Sequence, residues 1–186
     1  LTGVNYNFIT TIGEAVYGQE YTIDSSYSVE APNGVVLRTT FASDYNGTKT
    51  TYSLGSKFTQ PAKIINNEIY YDPVKYDIIY NLDGGTNNSS NPATYTVIDK
   101  VTFATPTKKG YDFFGWYLDP DFTKPITGIN EGTNNNFTSA EDMYTKLSKR
   151  STGAITVYAK FIIHDYKITT NIKSGVGVVS DISKVE

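Results

Sequence analysis

Cysteine is missing from all 186 residues, which removes disulfide staples, thiol catalysis, iron–sulfur clusters and cysteine zinc sites at once. Histidine is nearly missing too. His164 stands alone, so a histidine metal site or a His-centred triad would hang on one residue near a strand end. Charge is scarce, at 19% of residues with a net value of −3, and the largest basic clusters are Lys108-Lys109 and Lys149-Arg150. That falls short of the electrostatic footprint of a nucleic-acid binder or a polybasic membrane anchor. No apolar run approaches the ~20 residues of a spanning helix, so no membrane insertion is expected. The sequence opens at Leu1 without a legible signal peptide. It therefore reads as either a cytosolic chain or a processed or truncated piece of a longer one.

The missing charge is replaced by neutral polar residues: Thr, Asn, Ser and 16 Tyr. Thr and Tyr suit half-buried pleated strands, whereas Asn and Gly suit turns. Period-2 alternation predicts short strands over 6–12, 20–30, 35–41, 49–54 and 64–71, separated by turn chemistry such as Pro32-Asn33-Gly34 and Asn46-Gly47. Asn46-Gly47 predicts a two-residue type I′ hairpin turn, which needs positive φ at both positions. Pro73 cannot donate to a ladder and marks a strand end or linker. Further strands are expected over 76–82, 95–103, 112–117 and 154–161, with a loop over 86–92 too rich in Asn and Ser to pack. One segment carries helical period instead. Thr138 and Glu141 read as a capping box, Met143 and Leu147 fall at i, i+4, and Lys149-Arg150 suit the last turn. A short helix is predicted over 139–149.

Candidate sites compete with plain structural explanations. The chain's one tryptophan, Trp116, sits in Asp112-Phe113-Phe114-Gly115-Trp116-Tyr117. Strand alternation puts Phe114 and Trp116 on one face and Phe113 and Tyr117 on the other. A large ring beside glycine in a small domain reads as core. Tyr111 and Tyr117 are the better candidates for an exposed ligand-binding face, and Tyr45, Tyr52, Tyr70 and Tyr71 read as strand packing before they read as a sugar-stacking strip. Asp119-Pro120-Asp121 invites an acid/base or calcium role, but Asp and Pro are ordinary turn residues and no further carboxylate stands at ligand spacing. Asp83-Gly84-Gly85 is likewise a turn, since no Gly-x-x-x-x-Gly-Lys accompanies it. Asn46, Asn87 and Asn136 open glycosylation sequons, a frequent accident in chains rich in Asn and Thr. No motif supports a hydrolase. Neither a cofactor nor a metal is expected, and a self-formed Lys–Asn or Lys–Asp crosslink finds no identifiable partners.

Three blocks stand in order: Tyr76-x-Ile-x-Tyr-x-Leu-Asp-Gly-Gly85, Pro106-Thr-Lys-Lys-Gly-Tyr-x-Phe-x-Gly-Trp-Tyr117 and Gly153-x-Ile-Thr-Val-Tyr-Ala-Lys-Phe161. Together they resemble the Listeria–Bacteroides repeat, the family of the internalin B-repeat, over residues 76 to 161. The resemblance implies a small β-grasp-like module strung along a bacterial surface protein, with 139–149 and its Asn-rich approach as an insertion. Residues 1–75 resemble, more loosely, the immunoglobulin-like modules of such proteins, or else a diverged copy of the repeat. Tyr166-x-Ile-x-x-Asn-Ile-x-x-Gly175 echoes the block from Tyr76 to Gly85. It makes 163–186 either the start of a further repeat or a C-terminal strand.

The expectation is therefore a mainly β chain: an Ig-like β-sandwich over 1–75, then a β-grasp-like module with one short helix over 76–162. Its expected role is non-catalytic, as a stalk or spacer with weak adhesion in a surface or secreted protein of a Gram-positive bacterium. The alternative is a module that binds carbohydrate or a host receptor through exposed tyrosines. Cell-wall or host glycans and host surface proteins are the expected partners, nucleic acid is not, and the chain is expected to be a monomer.

Overall fold

Alternating Thr, Tyr, Val and Ile form strands wherever turn residues allow, and the computed structural model, which describes residues 15–28 and 30–169, is mainly β. Its strands are β1 (Glu20–Ile23), β2 (Val35–Ser43), β3 (Thr50–Ser53), β4 (Ser56–Thr59), β5 (Asn67–Pro73) and β6 (Tyr76–Asn81). Beyond these come β7 (Thr94–Tyr95), β8 (Val101–Thr102), β9 (Tyr111–Tyr117), β10 (Pro125–Ile126), β11 (Gly128–Ile129), helix α1 (Ala140–Leu147) and β12 (Ile155–Ile163). The expected strand at 6–12 and the residues 170–186 lie outside the described residues. Two compact units result.

Unit 1 comprises the chain up to Ile78, Pro92–Thr102 and Gly128–Ile155. In it β2 is flanked by antiparallel β3 and β5, and β1 pairs with β4. A core of Ile23, Phe41 and Phe58 gathers Tyr21, Tyr45, Tyr52 and Leu54. Phe58 is its hub, with ring centroids of Tyr45 at 4.9 Å, Tyr52 at 5.1 Å and Tyr21 at 5.6 Å. Tyr45 and Tyr52 thus pack, as ordinary strand tyrosines do.

A second core in the same unit joins Val35 and Tyr71 to Val97, Met143 and Leu147, the last two being the i, i+4 pair of α1. Burying these side chains stabilises by roughly 1.5–3 kcal/mol each. Arg150 closes this end: its Nη1 donates to Val97 O (2.8 Å) and Asn135 Oδ1 (2.6 Å), and its Nη2 to Asn134 O (2.7 Å). Along β5, Asp72 accepts from both Nε and Nη2 of Arg38, which holds its carboxyl below the usual range.

Several local expectations shift. Ser139 caps α1, its Oγ accepting from Asp142 N–H (3.0 Å), while Asp142 in turn accepts from Thr138 N–H (2.9 Å). The reciprocal box therefore runs one residue later than Thr138–Glu141, because Asp142 reaches the amide preceding the cap. The connection from Ser43 to Thr50 is a six-residue loop rather than a two-residue turn. Of Asn46 and Gly47, only Gly47 takes positive φ (85°). Residues 95–103 do not form one strand either. Thr96 N–H donates to Asp99 Oδ2 (2.8 Å), and this turn divides β7 from β8. Pro73 ends β5, as its missing donor requires.

Unit 2 comprises Ile79–Asn91, Phe103–Thr127 and the chain from Thr156. Its sheet has the order β10-β9-β12-β6, β6 having begun in unit 1. Beyond β12, residues 164–169 take no strand pairing.

Candidate functional site

The motif around Trp116 organises unit 2. Trp116 is 4% exposed, and its indole N–H donates to Ala104 O at 3.2 Å. Tyr80, Phe113 and Phe103 surround it, with ring centroids at 5.5, 5.5 and 5.9 Å. Phe161 extends the cluster from β12, 5.9 Å from Phe113. The core reading of Trp116 holds. Burial pushes the Tyr80 hydroxyl up to about 12, and donation to the Glu68 carboxylate does the same for Tyr70 in unit 1. Each of these groups stays protonated in the folded chain at pH values where the unfolded chain has already lost the proton. Their stabilisation is present below pH 10 and is lost as pH rises from about 10 to about 12. A phenolate absorbance titration of the 16 tyrosines is expected to leave a late-titrating fraction that joins the rest in denaturant. A single transition near pH 10 in the folded state would show this account to be wrong.

Asparagines hold the backbone beside the indole. Asn91 pairs with Ala104 on both sides, accepting from its N–H (2.7 Å) and donating to its O (3.0 Å), and Asn88 donates to Thr105 O (3.1 Å). The 86–92 loop does pack, contrary to expectation. An Asn side-chain amide copies a peptide group and serves as a ladder partner where no strand is available.

A β-bulge decides which rings face solvent. In β9 paired with β12, Gly115 stands opposite Lys160, but the next pair is Phe113 with Phe161, leaving Phe114 as the extra residue. Alternation therefore fails at one point. Phe113, not Phe114, joins Trp116 in the core, and Phe114 turns outward to 59% exposure. Lys160 Nζ lies over the rings of Phe114 (5.0 Å), Phe122 (5.3 Å) and Tyr117 (5.7 Å). Phe122 adopts φ 56°, an uncommon conformation for a bulky residue. Asp119 braces that loop, accepting from Thr123 N–H (3.0 Å), Thr123 Oγ1 (2.7 Å) and Lys124 N–H (2.8 Å). These hydrogen bonds, that of Thr123 first, hold the Asp119 carboxyl below its ordinary range. The turn reading of Asp119 holds.

Of the two candidate tyrosines, Tyr117 is not exposed. It retains 8% exposure, with its ring edge 3.4 Å from where a Gly115 Cβ would stand and Phe122 packed edge-on at 5.3 Å. The side chain that glycine lacks leaves a gap, and the Tyr117 ring fills it. Tyr111 is 38% exposed and has the Lys108 ammonium over its ring at 4.3 Å; Lys108 also pairs with Asp83 at 2.8 Å. The two tyrosines are thus not brought together as one open face. Tyr70 and Tyr71 point to opposite sides of β5, Tyr70 under Arg38 and Tyr71 in the second core of unit 1. His164 Nδ1 meets Asp112 Oδ2 at 2.7 Å. Sequence reasoning missed Phe114, Phe122 and Lys160, and a bulge leaves no local signature that would have found them.

In unit 1 a cleft of about 250 Å³ is lined by Thr133, Asn134, Lys146, Lys149 and Arg150. Lys146 there is engaged by Asp142 and Asn136 O. Among the described residues, no three His, Asp or Glu side chains are grouped to hold a metal ion, and no helix is long and apolar enough to cross a membrane.

Strands pinned by an aromatic core, with polar loops bracing the turns, define a β-structured module. Residues 76–160 match the sequence profile of the Listeria-Bacteroides repeat domain. The matched span coincides with the segment that the three sequence blocks delimit. The family is typical of bacterial surface proteins and is typically non-catalytic. No curated protein and no solved structure matches the chain.

Proposed function

We propose that the chain is a non-catalytic structural part of a protein on the surface of a Gram-positive bacterium, or secreted by it. It acts as a monomeric spacer that holds more distal parts away from the cell wall and adds weak adhesion. One observation supports this above the rest: Val35 and Tyr71, from before the repeat match, share a core with Val97, Met143 and Leu147 from within it. Segments that share a core cannot flex freely about the join, and resistance to flexing is what a spacer needs.

The test is replacement. Residues 15–169 of the surface protein that carries them would be exchanged for an unrelated folded module of similar length. Antibody access to the distal region is expected to persist, and attachment to host cells to fall only slightly. Lost attachment with access retained would instead favour recognition. A recognition role built on Tyr111 and Tyr117 is weakened by the burial of Tyr117; Phe114 offers a better-exposed ring.

A further inference from the structure

We propose that the outer face of the unit 2 sheet, at the β9 bulge, is a binding site for a carboxylate-bearing pyranose, a uronic or sialic acid residue of a glycan. The inference does not depend on the spacer role.

Phe114 occupies a position where regular alternation would bury it, and the bulge turns it to 59% exposure instead. A solvent-facing ring contributes little to folding, yet it offers the flat apolar face on which the C–H side of a sugar ring stacks. The ring does not stand alone. Lys160 Nζ is 5.0 Å from its centroid and is held on its other sides by Phe122 and Tyr117. Three ring faces attract the ammonium and fix its place. Among the described residues no ion pair ties Lys160 to a carboxylate, so the three rings alone hold it. A fixed ammonium without an anion, beside an open aromatic ring, complements a ligand that carries a carboxylate on an apolar-faced ring.

Phe122 adds an independent observation. Its φ of 56° is costly for a phenylalanine, on the order of 1–2 kcal/mol, and it sets the ring against Tyr117 and Lys160. Backbone strain that orders one side of a cation is strain placed where a ligand would benefit.

The size of the patch selects the occupant. Phe114, Ile79 and Ile162, at 59%, 55% and 46% exposure, are its exposed apolar residues. Three exposed apolar side chains are far fewer than the roughly 20–30 residues a side of a stable protein interface, whereas one open ring is enough to stack a sugar. Asp112, opposite Ile162 along the same sheet, is engaged by His164 and limits the anionic part of the ligand to the Lys160 end.

The test is an NMR titration of the whole chain with 3′-sialyllactose, trigalacturonic acid and neutral lactose. At least one acidic sugar is expected to produce saturable shifts at Phe114, Lys160 and Phe122, about tenfold tighter than lactose. Which acid binds tells whether the source is host sialoglycan or a uronic polymer. Phe114→Ala should weaken binding about tenfold, Phe114→Tyr should preserve it, and Lys160→Gln should reduce the acidic sugar to the affinity of lactose. Thermal unfolding of each variant would verify folding, and the exposure of Phe114 makes its loss tolerable. Equal binding of lactose, shifts centred elsewhere, or no saturation at millimolar sugar would overturn the proposal. So would concentration-dependent shifts at Phe114 without sugar, which would make this face a contact between copies.

Discussion

Gly34→Ala is expected to lower stability by about 2–5 kcal/mol, a sum of two separable costs. Gly34 holds φ +88°, a left-handed conformation that costs a side-chain-bearing residue roughly 1–2 kcal/mol. A Cβ there would also stand 2.0 Å from Val97 Cγ1, a contact no rotamer adjustment of the new methyl can relieve. Overpacking of that kind adds roughly 1–3 kcal/mol. Gly47→Ala is the matched control, since Gly47 has φ +85° and nothing within 4 Å of its would-be Cβ. Denaturant unfolding followed by circular dichroism should show Gly34→Ala costing clearly more than Gly47→Ala. The excess should shrink when Val97→Ala is added, a coupling that a double-mutant cycle measures. Equal costs for the two glycines would mean that the segment before residue 76 does not press on Val97. The common core of unit 1, and with it the support for a stiff spacer, would then be lost.

That core also marks where the sequence stopped being readable. Strands β2, β3, β5, β6, β9 and β12 were legible because alternation and turn residues act locally. Helix α1 was legible from Met143 and Leu147, though its cap fell one residue away from the expected one. The partners of α1 were not legible. Val35 and Tyr71 lie some seventy or more residues upstream of Met143, and nothing in either stretch points to the other. The three-block motif located the span that the family profile matches, yet the helix within that span packs with residues outside it.

The candidate site was half readable for a related reason. A period of 2 assigns faces only while the strand stays regular, and one inserted residue exchanges them. Trp116 lies on the C-terminal side of the bulge and Phe113 on the other, so both reach the core although three residues apart. Tyr117 was expected in solvent because no local rule says that a tyrosine will fold its ring across the glycine two residues before it. The asparagines of 86–92 were misjudged because composition records polarity and not the peptide groups they pair with.

Trp116→Ala should then be the most damaging single change in unit 2, costing about 3–5 kcal/mol. The indole is 4% exposed and meets Tyr80, Phe103 and Phe113 within 6 Å. Truncation removes its burial and leaves a cavity that three stiff rings cannot close, since each is tied to its own strand or loop. Ala104 O would lose the indole donor but keep Asn91, so the polar cost is small and the loss is mainly one of packing. Trp116→Phe, which lacks the donor and part of the volume, should cost distinctly less. With the only tryptophan gone, hydrogen exchange along β9 and β12 replaces fluorescence as the readout, and their amides should exchange far faster in Trp116→Ala. Phe114→Ala, one bulge away on the same strand, should leave that protection nearly unchanged. If the two variants were equally protected, Trp116 would not be holding unit 2 together. If Phe114→Ala lost protection as well, the outward ring would be part of the fold and not a site free for a ligand. The comparison separates the ring that the module needs to fold from the ring that it can use.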